Sequence, residues 1–237
     1  EKTTARVLFY GLSPEAHIFA DEITGDPLSG LSFTLNYHYT QRRVELHLPG
    51  EHSLLTALAA AAAGVAAEMP IDTICTALEE LRPPPGRCEV KRGPNGCILI
   101  DDTYNANRQS ILAALQDIQG SALGKAGKCW IVLGDIFELG EYARQEHFAS
   151  GEAVASVADY LIAIGDKARF YVEGALHAGM KPEQTYYFSA NVENAAELEA
   201  AKRAAADLLV HEVHAEDLVL LKGSRGMRTE TMMKVWS

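Results

Sequence analysis

Over the first fifty residues, apolar and polar positions alternate in short runs. Ser32–Tyr39 (SFTLNYHY) and Arg43–Leu48 (RVELHL) change sides at each step, the period of two expected of half-buried antiparallel strands. Arg6–Tyr10 (RVLFY) is a short apolar run ending at Gly11. Pro49–Gly50 breaks the sheet pattern, and the spacing then predicts helices over about 53–63 and 71–81, the second with Asp72 and Thr73 in its first turn. Pro83–Pro84–Pro85–Gly86 is the clearest boundary: three prolines forbid helix continuation and stiffen the connection, as a domain linker or as a rigid loop inside one domain. Beyond it, apolar strands are predicted at 97–100, 129–133, 160–164, 186–188 and 218–221, with helical segments over about 109–119, 142–157, 168–178 and 192–209. That order predicts an α/β fold, a mostly parallel sheet with helices on both faces, and a division of the chain into 1–83 and 84–237.

Composition sets limits on this picture without changing it. With 237 residues, 48% hydrophobic and 22% charged, the chain is long enough for one large or two ordinary globular domains. It has no apolar run of membrane-spanning length, so no membrane insertion is expected. A net charge of −11 argues against a nucleic-acid partner, which would need a basic face. It leaves room for a phosphorylated small molecule, which needs only a few N–H groups and one or two cations. Cys75, Cys88, Cys97 and Cys129 are scattered, without a CxxC pair, and predict neither a zinc site nor a disulfide framework; a reducing cytoplasm is the simplest reading.

In open α/β sheets ligands gather beyond the carboxyl ends of the strands, and the unusual residues fall there. One predicted strand runs into Asp101-Asp102-Thr103-Tyr104-Asn105-Ala106-Asn107, a second into Gly134-Asp135-Ile136-Phe137-Glu138-Leu139-Gly140, a third into Lys222-Gly223-Ser224-Arg225-Gly226. Each also has a plainer reading. Asp102 and Asn107 could cap turns or a helix, and Asp135 and Glu138 could belong to a solvated loop. The third loop points more clearly to an anion: at a strand-to-helix turn, Gly lets the backbone approach closely, a helix N-terminus favours negative charge, and Lys and Arg supply cations. His147 reads as a surface helix residue, and His211 and His214 as a solvated helix end rather than metal ligands. There is no GxGxxG after a strand, no GxxxxGKS/T, no HExxH and no GxSxG.

Five segments in register resemble the Mur ligases. They are LPGEHSLLTALAAAAAG (Leu48–Gly64), PGR (Pro85–Arg87), DDTYNAN (Asp101–Asn107), LGDIFELG (Leu133–Gly140) and LLKGSRGMRTE (Leu220–Glu230). YNAN and the GD-xx-ELG loop favour the branch that adds D-alanyl-D-alanine. The resemblance implies a Rossmann-like C-terminal domain over 84–237, preceded over 1–83 by the strand-rich end of a central ATPase domain. It implies ATP-driven amide formation through an acyl phosphate, with ATP and Mg2+, and with UDP-N-acetylmuramoyl-tripeptide and D-alanyl-D-alanine as substrates of a monomeric cytoplasmic enzyme. His52, Arg87 and Asp102 would hold the adenine and ribose. Tyr104, Asn105 and Asn107 would face the nucleotide or the dipeptide, and Lys222, Ser224 and Arg225 the reacting end or the dipeptide carboxylate.

The sequence departs from the family pattern in three places. Ser53 and Thr56 stand where HNxxN would supply two side-chain amides to adenine, and Arg108 stands where NANP has proline. No P-loop, magnesium-binding carboxylate segment or carbamylated-type lysine occurs, so the 237 residues alone are expected not to catalyse. Two other readings fit less of the sequence: a folylpolyglutamate-synthase-like ligase of the same superfamily, and a non-catalytic binding module with a degenerate ATP site.

Overall fold

The computed structural model describes Ala5 and residues 7–236, which divide into two compact units, 1–83 and 84–237. The first contains strands β1 (Tyr10–Gly11), β2 (Ile18–Asp26), β3 (Gly30–Tyr37) and β4 (Thr40–Leu46), then helices α1 (Glu51–Ala66) and α2 (Ile71–Glu80). The strands form one sheet in sequence order, β1 parallel to β2 and the rest antiparallel. Alternation in β3 buries Leu31, Phe33 and Leu35 on one face, where they pack with Val44, Leu46 and the α1 residues Leu54, Leu58 and Ala61. Each large side chain buried there contributes roughly 1.5–3 kcal/mol. Two expectations change. Of the predicted strand Arg6–Tyr10, residues 7–9 are irregular, strand pairing begins only at Tyr10, and Arg6 lies outside the described residues. β2 was not predicted: its run IFADEITGD buries only its start, and its register shifts between Asp21 and Thr24, so no clean alternation exists to be read.

The second unit contains β5 (Glu89–Arg92), β6 (Ile98–Asp102), α3 (Arg108–Gly120), β7 (Cys129–Gly134), α4 (Ala143–Val154), β8 (Tyr160–Ile164), α5 (Arg169–His177), β9 (Thr185–Phe188), α6 (Ala195–Glu212) and β10 (Leu218–Lys222). The sheet order is β5-β6-β10-β7-β8-β9, all neighbours parallel except the edge pair β5–β6. β5, a short half-exposed EVKR segment, is a further strand that the sequence pattern did not indicate. Leu99, Trp130, Val132, Ile162, Val219 and Leu221 face α6. Residues of the opposite parity, such as Ile100, Ile131, Leu133 and Leu220, are equally buried and point to the other face, where right-handed crossovers place α3, α4 and α5.

α4 and α5 lie unusually close because each has a glycine at the contact. A Cβ on Gly151 would stand 2.0 Å from the Tyr171 carbonyl oxygen, and one on Gly174 2.0 Å from that of Phe148. Among the described residues no helix is long and apolar enough to cross a membrane.

Candidate functional site

β10 is the last strand in the chain but lies between β6 and β7, so the three polar loops leave neighbouring strand ends on one rim. The register puts Lys222 directly opposite Asp102 on one side and Leu133 on the other. Lys222 is only 1% exposed. Its Nζ donates to Asp102 Oδ2 and, at 3.1 Å, to the Asn105 carbonyl oxygen. A buried ammonium without such partners would be prohibitively costly. The adjacent Asp101 is also buried in the strand and accepts from Lys91 Nζ (2.7 Å) and Thr103 Oγ1 (2.7 Å). Both aspartates thus belong to β6 rather than to the loop after it, because each side of the strand supplies a cation.

The PGR segment is pinned to the end of β6 at two points. Gly86, at φ +74°, offers its carbonyl to Tyr104 N–H at 2.9 Å, and Cys88 N–H donates to Asp102 Oδ1 at 3.2 Å. A Cβ on Gly86 would approach Tyr104 N to 3.1 Å, so glycine serves both the turn and the close approach. Arg87 is thereby laid over the Tyr104 ring, guanidinium carbon 3.9 Å from the centroid, while Arg225 lies 5.6 Å from the same centroid. Tyr104 remains 44% exposed, and the two arginines are exposed.

Asn105 and Asn107 follow. Asn105 Oδ1 accepts from Ala106 N–H at 2.9 Å. Asn107 is the N-cap of α3: its Oδ1 accepts from Ser110 N–H (2.8 Å) and Ser110 Oγ accepts from Asn107 N–H (3.1 Å), a capping box with α3 starting at Arg108. The plainer reading of Asn107 therefore holds for its oxygen, leaving its NH2 group for other partners.

The 222–226 loop differs from expectation in one respect. No α-helix follows it; the chain makes a single 3-10 turn over Arg225–Met227, so no helix N-terminus faces an anion there. Ser224 is buried, its N–H donating to Asp135 O (3.2 Å) and its Oγ accepting from Phe137 N–H (2.8 Å). It latches two rim loops together, and Arg225 is left as the exposed cation. Asn105, Asn107, Ile136, Phe137, Leu139 and Arg225 are among the residues lining a cleft of about 380 Å3. The sequence points to the polar members of this loop, Asp135 and Glu138, and carries no sign that Ile136, Phe137 and Leu139 line the cleft.

Asp135 is 2% exposed, not solvated, and His147 is fully buried, not a surface residue. Asp135 Oδ2 accepts from Asp166 N–H (3.0 Å) and Lys167 N–H (3.1 Å). Burial outweighs these bonds and pushes its carboxyl up to about 6. His147 Nε2 accepts from Ile136 N–H (3.0 Å) and Nδ1 meets the Ala143 carbonyl oxygen (2.6 Å), which fixes the neutral Nδ1–H tautomer. Burial lowers its pKa accordingly. Asp135 Oδ1 stands 3.9 Å from Nε2, and Tyr171 packs on the imidazole at 4.6 Å while its hydroxyl donates to the Gly134 carbonyl oxygen (3.2 Å). This buried bracket fixes the loop that forms one wall of the cleft.

Eight of the nine candidate residues lie in 84–237. His52 stands in the first unit, exposed on the first turn of α1. Beside it the Ser53 hydroxyl donates to the Pro49 carbonyl oxygen and the Thr56 hydroxyl to that of His52. His211 and His214 are exposed, and among the described residues no group of three or more His, Cys, Asp and Glu could hold a metal.

A mostly parallel sheet with its last strand returned to the centre, and a polar cleft beyond the carboxyl ends of its strands, defines an α/β ligand-binding domain of doubly wound type. The family profile described as Mur ligase, glutamate ligase domain, matches residues 86–225, and the chain belongs to the Mur ligase family. It is 31% identical over 231 residues to the UDP-N-acetylmuramoyl-tripeptide--D-alanyl-D-alanine ligase of Mycobacterium tuberculosis, covering 94% of this chain and 45% of that one. The Bacillus subtilis ligase of the same name is 30% identical over 202 residues, 83% of this chain and 41% of that one. Among solved structures, MurF from Acinetobacter baumannii superposes with a TM-score of 0.78 at 29% identity, covering 97% of this chain and 46% of that one. The chain thus spans about half the length of the relatives it matches.

Proposed function

We propose that the chain is the C-terminal part of an ATP-dependent amide ligase that joins D-alanyl-D-alanine to UDP-N-acetylmuramoyl-tripeptide. Residues 1–83 would be the end of its central ATPase domain and 84–237 the domain that receives the dipeptide. The observation that carries this reading is the cleft beyond β6, β7 and β10. Its lining combines the Arg225 guanidinium, 3.5 Å from the Glu230 carboxylate, and the side-chain amides of Asn105 and Asn107 with the apolar Phe137 and Leu139 and one acidic residue, Glu138. A short dipeptide with a free carboxylate and methyl side chains suits that mixture. The name of the relatives, UDP-N-acetylmuramoyl-tripeptide--D-alanyl-D-alanine ligase, supports the same substrates.

In this reaction ATP supplies a phosphoryl group that turns the tripeptide carboxylate into an acyl phosphate. The dipeptide amine then attacks the carbonyl carbon, the C–N bond forms, phosphate departs with the C–O bonding pair, and the amine loses a proton. The residues of this chain contribute mainly position. Arg225 holds the dipeptide carboxylate, and Asn105 and Asn107 orient its amide. Lys222, buried against Asp102, fixes the Asn105 carbonyl and with it the cleft wall; Ser224 fixes the opposite wall through Phe137. Arg87 on Tyr104 offers a flat cationic surface to the nucleotide. In the first unit His52 is exposed, but the Ser53 and Thr56 hydroxyls are spent on the Pro49 and His52 carbonyl oxygens and give adenine no paired donor and acceptor. Among the described residues no group of three or more His, Cys, Asp and Glu offers a magnesium ion an all-protein site.

The test is phosphate release by the full-length protein with ATP and UDP-N-acetylmuramoyl-tripeptide. Release that depends on D-alanyl-D-alanine, with KM for the dipeptide raised at least tenfold by Arg225→Gln and kcat changed less, is expected. Equal stimulation by a single amino acid, or by glutamate, would overturn the assignment in favour of another amide ligase of the superfamily.

A further inference from the structure

The 3-10 segment Thr229–Val235 packs back on α6, and a cleft of about 370 Å3 opens there, lined by residues of α6 and of 228–235. It shares no residue with the dipeptide cleft and has no part in the function above. Half of its eight lining residues are cationic, Lys202, Arg203, Arg228 and Lys234, in a chain whose net charge is −11. The cations are not equivalent. Lys202 is 1% exposed, and its ammonium donates to Glu199 Oε1 (2.7 Å) and to the carbonyl oxygens of Met227 (3.0 Å) and Arg228 (3.1 Å), so its donors and its charge are used.

Arg203 and Arg228 are exposed, and among the described residues neither has a carboxylate within ion-pair distance. The one carboxylate in the lining, Glu199, is held below the usual carboxylate range chiefly by Lys202, and its second oxygen accepts from Thr231 Oγ1 at 3.2 Å. Arg228 is brought to the cleft by a left-handed backbone, φ 50°, which costs energy in a residue with a side chain.

Guanidinium forks match phosphate oxygens in pairs, and here two of them share one concave surface with neither in contact with a carboxylate; Glu199, whose pKa Arg228 helps to lower from a distance, is the one acidic group in the lining. We propose that this cleft is a second anion site, selective for a phosphate group, with Arg203 and Arg228 as its ligands and Lys234 adding charge at longer range. The site communicates with the ligand rim through one stretch of backbone. The carbonyls that Lys202 holds belong to the two residues that follow Gly226, so an anion here bears on the segment that carries Arg225.

The test uses the 237-residue chain labelled with 15N and titrated with inorganic phosphate, the ionic strength held constant with chloride. Saturable amide shifts are expected at 199–203 and 228–235. Arg203→Gln/Arg228→Gln should raise the apparent Kd at least tenfold, each single substitution at least threefold, and Arg225→Gln should leave these shifts unchanged. The singles decide the matter if the double variant does not fold. Shifts confined to 222–226, a titration without saturation, or single variants that bind like the parent would overturn the proposal. Adenosine monophosphate run in parallel distinguishes the source: tighter binding at the same resonances assigns a nucleotide phosphate, equal binding a free one.

Discussion

Two buried carboxylates stand at the ends of β6 and β7, either side of β10 in one sheet, and are satisfied by different means. Asp102, the last residue of β6, meets the Lys222 ammonium across the strand register and one N–H from Cys88. Asp135, just past β7, meets only N–H groups, with a neutral imidazole behind it, and its carboxyl is pushed up to about 6. The first arrangement keeps a charge in place by pairing it with another. The second holds a loop in place at the cost of a carboxylate that ionises reluctantly. Pairing gives a rigid floor to the rim; the unpaired carboxylate gives the adjacent loop a sensitivity to pH.

The largest effect should come from breaking the pair. Asp102→Ala leaves Lys222 buried without its anion and is expected to cost about 3–5 kcal/mol in urea unfolding of the chain, whereas Asp102→Leu/Lys222→Met should recover most of that loss. A loss below about 1 kcal/mol for Asp102→Ala would mean that the two strand ends do not differ as described.

The pH dependence follows next. Asp135 has a folded pKa of about 6 against an ordinary 3.8. The folded state therefore holds the extra proton between those values, and the group's contribution is fullest below about 4 and lost as pH rises through about 6, on the order of 3 kcal/mol. His147 acts in the opposite sense: its lowered pKa contributes stability above its ordinary 6.5 that is lost as pH falls through the folded value. Asp135→Asn should stabilise the chain at pH 7 and leave a stability that only rises with pH toward 6.5, while His147→Gln should leave one that falls between 4 and 6. Parallel stability–pH curves for the two variants would refute the opposition of sign.

Gly165→Ala tests the geometry of the second arrangement. A Cβ there would stand 2.4 Å from Asp135 Oδ1, at a φ of +132°, and the strain should cost about 1–3 kcal/mol. It should also shift the amide resonances of Asp166 and Lys167. The smallest effect belongs to the rim loop beside Asp102. Asn107→Ala should lose about 1 kcal/mol with the α3 cap, and Asn107→Asp should keep the cap and most of the stability. If Asn107→Asp in the full-length protein leaves the dipeptide KM unchanged, Asn107 is a cap and nothing more.

Periodicity and turn residues determined a good deal by themselves. The alternation of apolar strands with helical segments after Pro85 indicates the parallel sheet, because most of those strands are nearly continuous in Val, Ile and Leu, with 186–188 aromatic, and helical segments separate them. The Gly- and Asn-bearing loops after three of those strands locate the rim without coordinates, since glycine and asparagine mark backbone that side chains and ligands approach closely. What the sequence could not show depends on partners distant in the chain. Asp101-Asp102 looks like a loop because two carboxylates are poor strand residues; they join β6 only because Lys91 on β5 and Lys222 on β10 lie to either side. His147 looks like a surface residue of a polar helix, and it is buried because Gly151 and Gly174 let α4 and α5 close over it. Local propensity is written along the chain, whereas the pairing of buried charges is settled by which strands become neighbours, and here the last strand inserts between two made long before it.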